Sequence, residues 1–153
     1  MSGHIGYESE LPFDEDGWPP DCPHRTWLEL FQARQDSLTF DENILAHEQG
    51  RTTDLLGMWG GWLAAAKRGL SLVSIDLEVE HARARQEARS TRPKATTDDL
   101  EMYVWLDPEY VAVKQLVVER TYLVDVLKSV VEALRVRSDM IQEVGRDLRQ
   151  TQK

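Results

Sequence analysis

The stretch from Asp107 to Leu148 constrains what this chain can fold into more than any other. Asp107 is a helix N-cap residue, Pro108 suits the first helical position, and Glu109 places an acid in the first turn. No further proline follows. Val113, Leu116, Arg120, Leu123, Leu127, Val130, Leu134, Arg137, Ile141, Val144 and Leu148 recur at gaps that alternate three and four, the spacing of a coiled-coil seam. A second row, Val117, Val124 and Val131, widens the apolar face. A helix of about 40 residues is roughly 60 Å long, more than a compact 153-residue chain can wrap. The fold expected is therefore all-α, a long antiparallel helical hairpin with coiled-coil-like oligomerisation. Another copy of the chain is expected to cover the second row. Leu116, Leu123, Leu127, Val130, Leu134, Ile141 and Val144 are the seam residues assigned to that oligomerisation.

The partner helix begins near Thr52 or Thr53 and runs to about Arg89, with Leu56, Trp59, Leu63, Ala66, Leu70, Val73, Leu77 and Ala84 as its stripe. Gly57, Gly60, Gly61 and Gly69 interrupt it, each costing about 0.5–1 kcal/mol against alanine. Either the helix starts after Gly61, or the glycines admit a second backbone at close range, which is the reading favoured here. Ser90 to Lys94 is the turn, and Thr97 or Asp98 opens a short helix or irregular segment through Leu106. Upstream, Thr26 caps a short helix to about Leu38. Residues 1–25 mix glycine, proline and acids and are read as a disordered acidic arm, leaving 26–153 as the helical oligomerisation and binding domain. That arm either solvates the chain, docks on a basic partner, or shields the chain's own bases.

Charge is segregated along the chain. The net charge is −9, and residues 1–50 account for all of it with eleven acids against Arg25 and Arg34. From Arg83 to Lys94 there are five bases and one acid, Glu87. Arginines in the last turns complement a helix dipole, but five bases exceed that requirement. The surplus suits a phosphate backbone. Arg83, Arg85, Arg89, Arg92 and Lys94 are thus candidate nucleic-acid contacts, with dipole compensation the alternative. Arg120 and Arg137 stand in the apolar seam, where they either fix register or snorkel to its edge.

Catalysis finds no support. The histidines at 4, 24, 47 and 81 are scattered, and Cys22 with His24 has no second pair at zinc spacing. Capping accounts for the adjacent Asp98 and Asp99. Gly57, Gly60 and Gly61 lack the Lys-Ser/Thr of a phosphate loop. No enzyme, cofactor or metal site is expected. The single cysteine, the lack of a long apolar run and the lack of a signal pattern fit a cytoplasmic protein.

A tryptophan-bearing helix (Trp59, Trp62), a basic element (Arg83-Ala84-Arg85), a polar linker and a terminal helix follow one another in order. The terminal helix contains Leu127-Lys128-Ser129 and Ala133 to Gln142 and closes on Asp147-Leu148-Arg149. Over about residues 53–150 this resembles the UvsY-type phage recombination mediators. The resemblance implies a ring-like homo-oligomer in the bacterial host cytoplasm that binds single-stranded DNA. It further implies help in loading a RecA-like recombinase onto DNA coated with single-strand-binding protein. Arg83 and Arg85 match the family's basic DNA-contact element. The acidic arm and the negative net charge depart from it. Two rival readings remain: a phage scaffold or assembly chaperone without DNA binding, and an inhibitor whose acidic arm imitates nucleic acid.

Overall fold

A computed structural model describes residues 10–12, 22–41 and 44–152. Four helices follow in order: α1 (Trp27–Leu38), α2 (Leu45–Thr91), α3 (Thr97–Leu106) and α4 (Pro108–Thr151). The long helices α2 and α4 form an antiparallel hairpin. Helix α1 lies against it at one end, and α3 folds over the other. None of the helices among the described residues is long and apolar enough to cross a membrane.

Local chemistry sets the boundaries. Thr26 and Glu29 form a capping box on α1, and Thr96 and Asp99 form another on α3. Asp107 caps α4, its Oδ1 accepting from the backbone N–H groups of Glu109 and Tyr110 at 3.0 Å each. Helix α2 halts two residues before Pro93, which disfavours helical geometry in the residue before it. It starts about two turns earlier than Thr52, and without a side-chain cap. Tertiary contacts hold those extra turns, since Glu48 and Thr52 are buried and Arg51 reaches across to α1.

Two arginines fix how the hairpin pairs. Arg120, only 4% exposed, donates from Nη1 to the carbonyl of Gly69 at 3.1 Å. Arg137 donates from Nε to Thr52 Oγ1 at 3.0 Å. These contacts lie seventeen residues apart on both helices and so specify one register. By that register Leu45 lies level with Val144, and residues 145–151 run past the end of α2. Neither arginine snorkels to the edge, because each finds an oxygen acceptor inside the seam.

Arg137 also reaches α1. Its Nη1 donates to the carbonyls of Ser37 at 2.9 Å and Thr39 at 3.3 Å. Arg51 adds bonds to Thr39 O at 2.9 Å and Asp36 O at 2.7 Å. Helix α1 has no base in its own last turn, so α2 and α4 supply the positive charge its C-terminal carbonyls favour. Burial and the neighbouring Arg51 push the Arg137 guanidinium below its usual range, while Glu48 acts the other way. Trp59 Nε1 completes the junction on Ser37 Oγ at 3.1 Å.

The main core joins Trp59, Trp62, Leu63 and Ala66 of α2 to Leu123, Leu127, Val130 and Leu134 of α4. Trp27 and Leu30 of α1, together with Leu11 and Cys22, belong to the same cluster. Two expectations change here. Two members of the second row do not wait for another copy of the chain, because Val124 and Val131 are buried in this core, while Val117 is half-buried. Of the residues assigned to oligomerisation, Leu123, Leu127, Val130, Leu134 and Ile141 are buried within the chain, Leu116 is half-buried, and only Val144 is exposed. The shortage of cover inferred from helix length is met by the N-terminal segments. Two of those come from the stretch expected to be a disordered arm. Leu11 N donates to Arg25 O at 2.8 Å, and Cys22 is 1% exposed. Residues 1–9 and 13–21 of that stretch lie outside the described residues.

The glycines also behave differently from expectation. Helix α2 runs unbroken through them, so it does not begin after Gly61. A Cβ at Gly57, Gly60 or Gly61 would meet nothing within 4 Å, so no backbone among the described residues approaches them. Only Gly69 is crowded, by Arg120 Nη1 at 3.2 Å from that position, and this is a side chain.

Two outcomes follow for stability. Gly57→Ala and Gly61→Ala should each stabilise the chain by about 0.5–1 kcal/mol in urea unfolding, because each improves helix propensity without a clash. Arg137→Met should lower stability by about 2–3 kcal/mol as its charge-assisted bonds disappear. Arg146→Met, on the exposed end of α4, should change it by less than about 0.5 kcal/mol.

Candidate nucleic-acid interface

The basic cluster lies where α2 overshoots the start of α4 and α3 turns back beside it. Ala84, Val104 and Tyr110 make a small core there, with Leu77 against it. Leu100 is fully buried. This packing presents the charged side chains of the last α2 turns to α3, to the start of α4 and to solvent.

Those side chains separate into two groups. Arg83 is enclosed by acids: Nε lies 2.7 Å from Glu80, Nη1 2.8 Å from Glu87, and Nη2 2.8 Å from Asp107 and 3.1 Å from Glu109. The hydrogen bond it donates to Glu80 raises its pKa first, and the charges of Asp107 and Glu109 add to that against some desolvation. Asp107 is correspondingly held below the usual carboxylate range, first by the Tyr110 N–H it accepts and further by Arg83. Arg83 therefore ties the end of α2 to the cap of α4. Arg85 is half-exposed, with Nη1 3.5 Å from Glu101 Oε1. His81 Nε2 bonds the other oxygen of Glu101 at 2.9 Å.

The remaining bases face outward at the turn. Arg89 is exposed and donates from Nη1 to Ala95 O at 3.1 Å. Arg92 is exposed and folds over Tyr103, its guanidinium carbon 4.1 Å from the ring centroid and its Nη1 hydrogen-bonded to the phenol oxygen. Lys94 is exposed on the turn itself. The five candidate bases thus share one end of the hairpin, but Arg83 is committed to neighbouring carboxylates. That commitment was partly readable, since Glu80 and Glu87 stand three and four residues from Arg83, the spacing of helical ion pairs. Tyr103 and Glu101 could not be found that way, because their positions depend on how α3 folds back.

At the opposite end, Val136, Met140, Val144 and Leu148 are exposed on α4 at intervals of four. A groove of about 620 Å³ beside them is lined chiefly by Phe40, Leu45, Ala133, Val136, Met140 and Ile141. Among the described residues no three His, Cys, Asp or Glu side chains are grouped to hold a metal ion.

No family model and no curated protein sequence matches the chain. Solved structures do. A crystal structure of the bacteriophage T4 recombination mediator protein UvsY, lattice type IV, matches with a TM-score of 0.68 at 17% identity, covering 82% of this chain and 98% of UvsY. The lattice type II structure of the same protein gives 0.70 at 15% identity, covering 84% and 98%. At such identities the likeness is one of fold. The chain has a UvsY-like helical fold, as the resemblance in its residues implied.

Because Arg83 joins two helices, Arg83→Gln should lower the urea midpoint and weaken the α2–α4 junction. High salt should erase part of the difference from wild type, since these pairs are partly exposed. A midpoint unchanged at low salt would mean that the carboxylate cage contributes nothing.

Proposed function

We propose that this chain is a recombination mediator of the UvsY type. In this reading it is a non-enzymatic homo-oligomer that binds single-stranded DNA. It helps seat a RecA-like recombinase in place of single-strand-binding protein, in the cytoplasm of a bacterial host. The observation that carries the reading is the fold likeness, which spans 98% of a protein described as a recombination mediator. The basic turn supports it independently.

The residues divide between two roles. Arg85, Arg89, Arg92 and Lys94 contact the DNA, and Arg83 positions the helix end that carries them. Oligomerisation runs through the exposed face of α4, Val136, Met140, Val144 and Leu148, rather than through the seam that α2 already covers. A second copy of α4 would bury that face and fill the groove next to it. Assembly would then repeat the basic turn around the oligomer and concentrate its charge despite the net −9 of each chain.

Titration of labelled single-stranded DNA over a salt series, run beside a mass measurement in solution, tests both roles. Wild type should be oligomeric and salt-sensitive. Arg89→Ala with Lys94→Ala should flatten the slope of log affinity against log salt by about 0.7 for every phosphate that the variant no longer neutralises, with mass unchanged. Val136→Asp with Met140→Asp should give folded, smaller species that bind more weakly. A chain that is oligomeric yet indifferent to single-stranded DNA would instead be an assembly protein, and the mediator reading would fall.

A further inference from the structure

The groove between the α2–α3 turn and the flank of α3 has a composition that phosphate binding alone does not account for. Arg92, Pro93, Lys94, Ala95, Asp99 and Tyr103 line it, and its volume is about 550 Å³, within the range of small-molecule sites. Arg92 ends α2, and its backbone N–H still bonds Ala88 O at 2.9 Å. Its side chain makes no ion pair among the described residues and turns instead across the loop to Tyr103. The guanidinium carbon thus lies over the aromatic ring, 4.1 Å from its centroid, in a cation–π contact, with Nη1 hydrogen-bonded to the phenol oxygen. A guanidinium has two faces. The Tyr103 ring borders this one, and since Arg92 is exposed, it keeps open surface toward solvent.

A guanidinium plane held in one place by an aromatic ring fits the π-face of a nucleobase. Its order lowers the entropy cost when a base stacks on it. The groove does not fit a bare anion, because Asp99 lines it as a carboxylate. That acid is kept ionised by hydrogen bonds from the Thr96 hydroxyl and, second, the Thr96 backbone N–H. Lys94, at the rim of the same groove, is where a phosphate would go. An arrangement of one stacking plane beside one cation follows the repeat of a single strand, in which each base comes with its phosphate.

We propose that this groove is a base-stacking subsite for single-stranded nucleic acid: one nucleobase stacks on the Arg92 guanidinium, which is backed by the Tyr103 ring, and Lys94 takes the adjoining phosphate. The inference rests on the reading that the chain binds single strands, and adds that the bases as well as the backbone are held. Stacking on this kind of platform contributes about 1–3 kcal/mol per base, or about 5- to 150-fold in affinity.

The test compares a single-stranded oligonucleotide with an abasic strand of equal length and equal phosphate number, by anisotropy across a salt series. Wild type should bind the base-bearing strand at least about tenfold more tightly. Tyr103→Leu should bring the two affinities to within about twofold while leaving the salt slope unchanged, because every phosphate-binding base is still present. Tyr103→Phe keeps the ring and should keep the preference. Arg92→Lys keeps the charge but not the plane, and should abolish the preference even if Tyr103→Leu does not fold. If wild type binds both strands equally, or if Tyr103→Leu and Arg92→Lys keep the wild-type ratio, the subsite is overturned and single-strand binding stands. If wild type binds neither strand, both readings fail together.

Discussion

One guanidinium holds three helices in place. Arg137 sits in the apolar seam of α4, yet it bonds Thr52 on α2 and the Ser37 and Thr39 carbonyls around the end of α1. A charged group in that position costs desolvation, and the acceptors offset it. The arrangement depends on α1 stopping at Leu38, because only a helix that ends there leaves carbonyls free to accept. It depends equally on α2 starting early enough to bring Thr52 and Arg51 alongside. Once α1 is fixed, Trp27 and Leu30 can cover the flank of α4 that would otherwise face water.

The same guanidinium, with Arg120, settles a problem inherent in repetitive seams. A seven-residue slip between α2 and α4 would preserve most of the apolar pairing. It would carry Arg137 from Thr52 to the level of Leu45 or Trp59, and Arg120 from Gly69 to the level of Trp62 or Asp76. Of these places only Asp76 has a side-chain oxygen, and none has the Cβ-free backbone of Gly69. The polar residues in the seam thus separate one pairing from its near-equals, while the leucines and valines supply the bulk of the burial.

Much of this is legible in the residues. Asp107-Pro108, Thr26 and the proline after α2 mark boundaries through local chemistry, and local chemistry is what a sequence states openly. The hairpin follows from spacing. What spacing does not state is which side of a helix is covered by what. Val124 and Val131 point to a second copy only because nothing in the order of residues indicates that Leu11, Cys22 and Trp27 join the same core. The early start of α2 is hidden for a similar reason, since Arg51 and Thr52 serve a partner that arrives through the fold. At the basic turn, five bases are visible together, but their division into an enclosed Arg83 and an outward Arg89, Arg92 and Lys94 requires the positions of Asp107, Glu109 and Tyr103. The oligomer interface and the DNA contacts depend on surfaces beyond one chain, and the order of residues identifies candidates for them only.

The outward glycines of α2 have a kinetic consequence. Closing a short loop costs less entropy than closing a long one, and the α2–α3 turn lies between the two helix portions that are nearest in sequence. The glycine-rich portion of α2, Gly50 to Gly61, is the part least able to hold helical geometry unaided. Both effects give the hairpin a direction of assembly. It is expected to nucleate beside the turn, zip toward the glycines, and lock only when α1 arrives to meet Arg137. The slowest step of folding would then lie at the end of the molecule farthest from its basic turn, and the transition state would already hold the part that carries the charge.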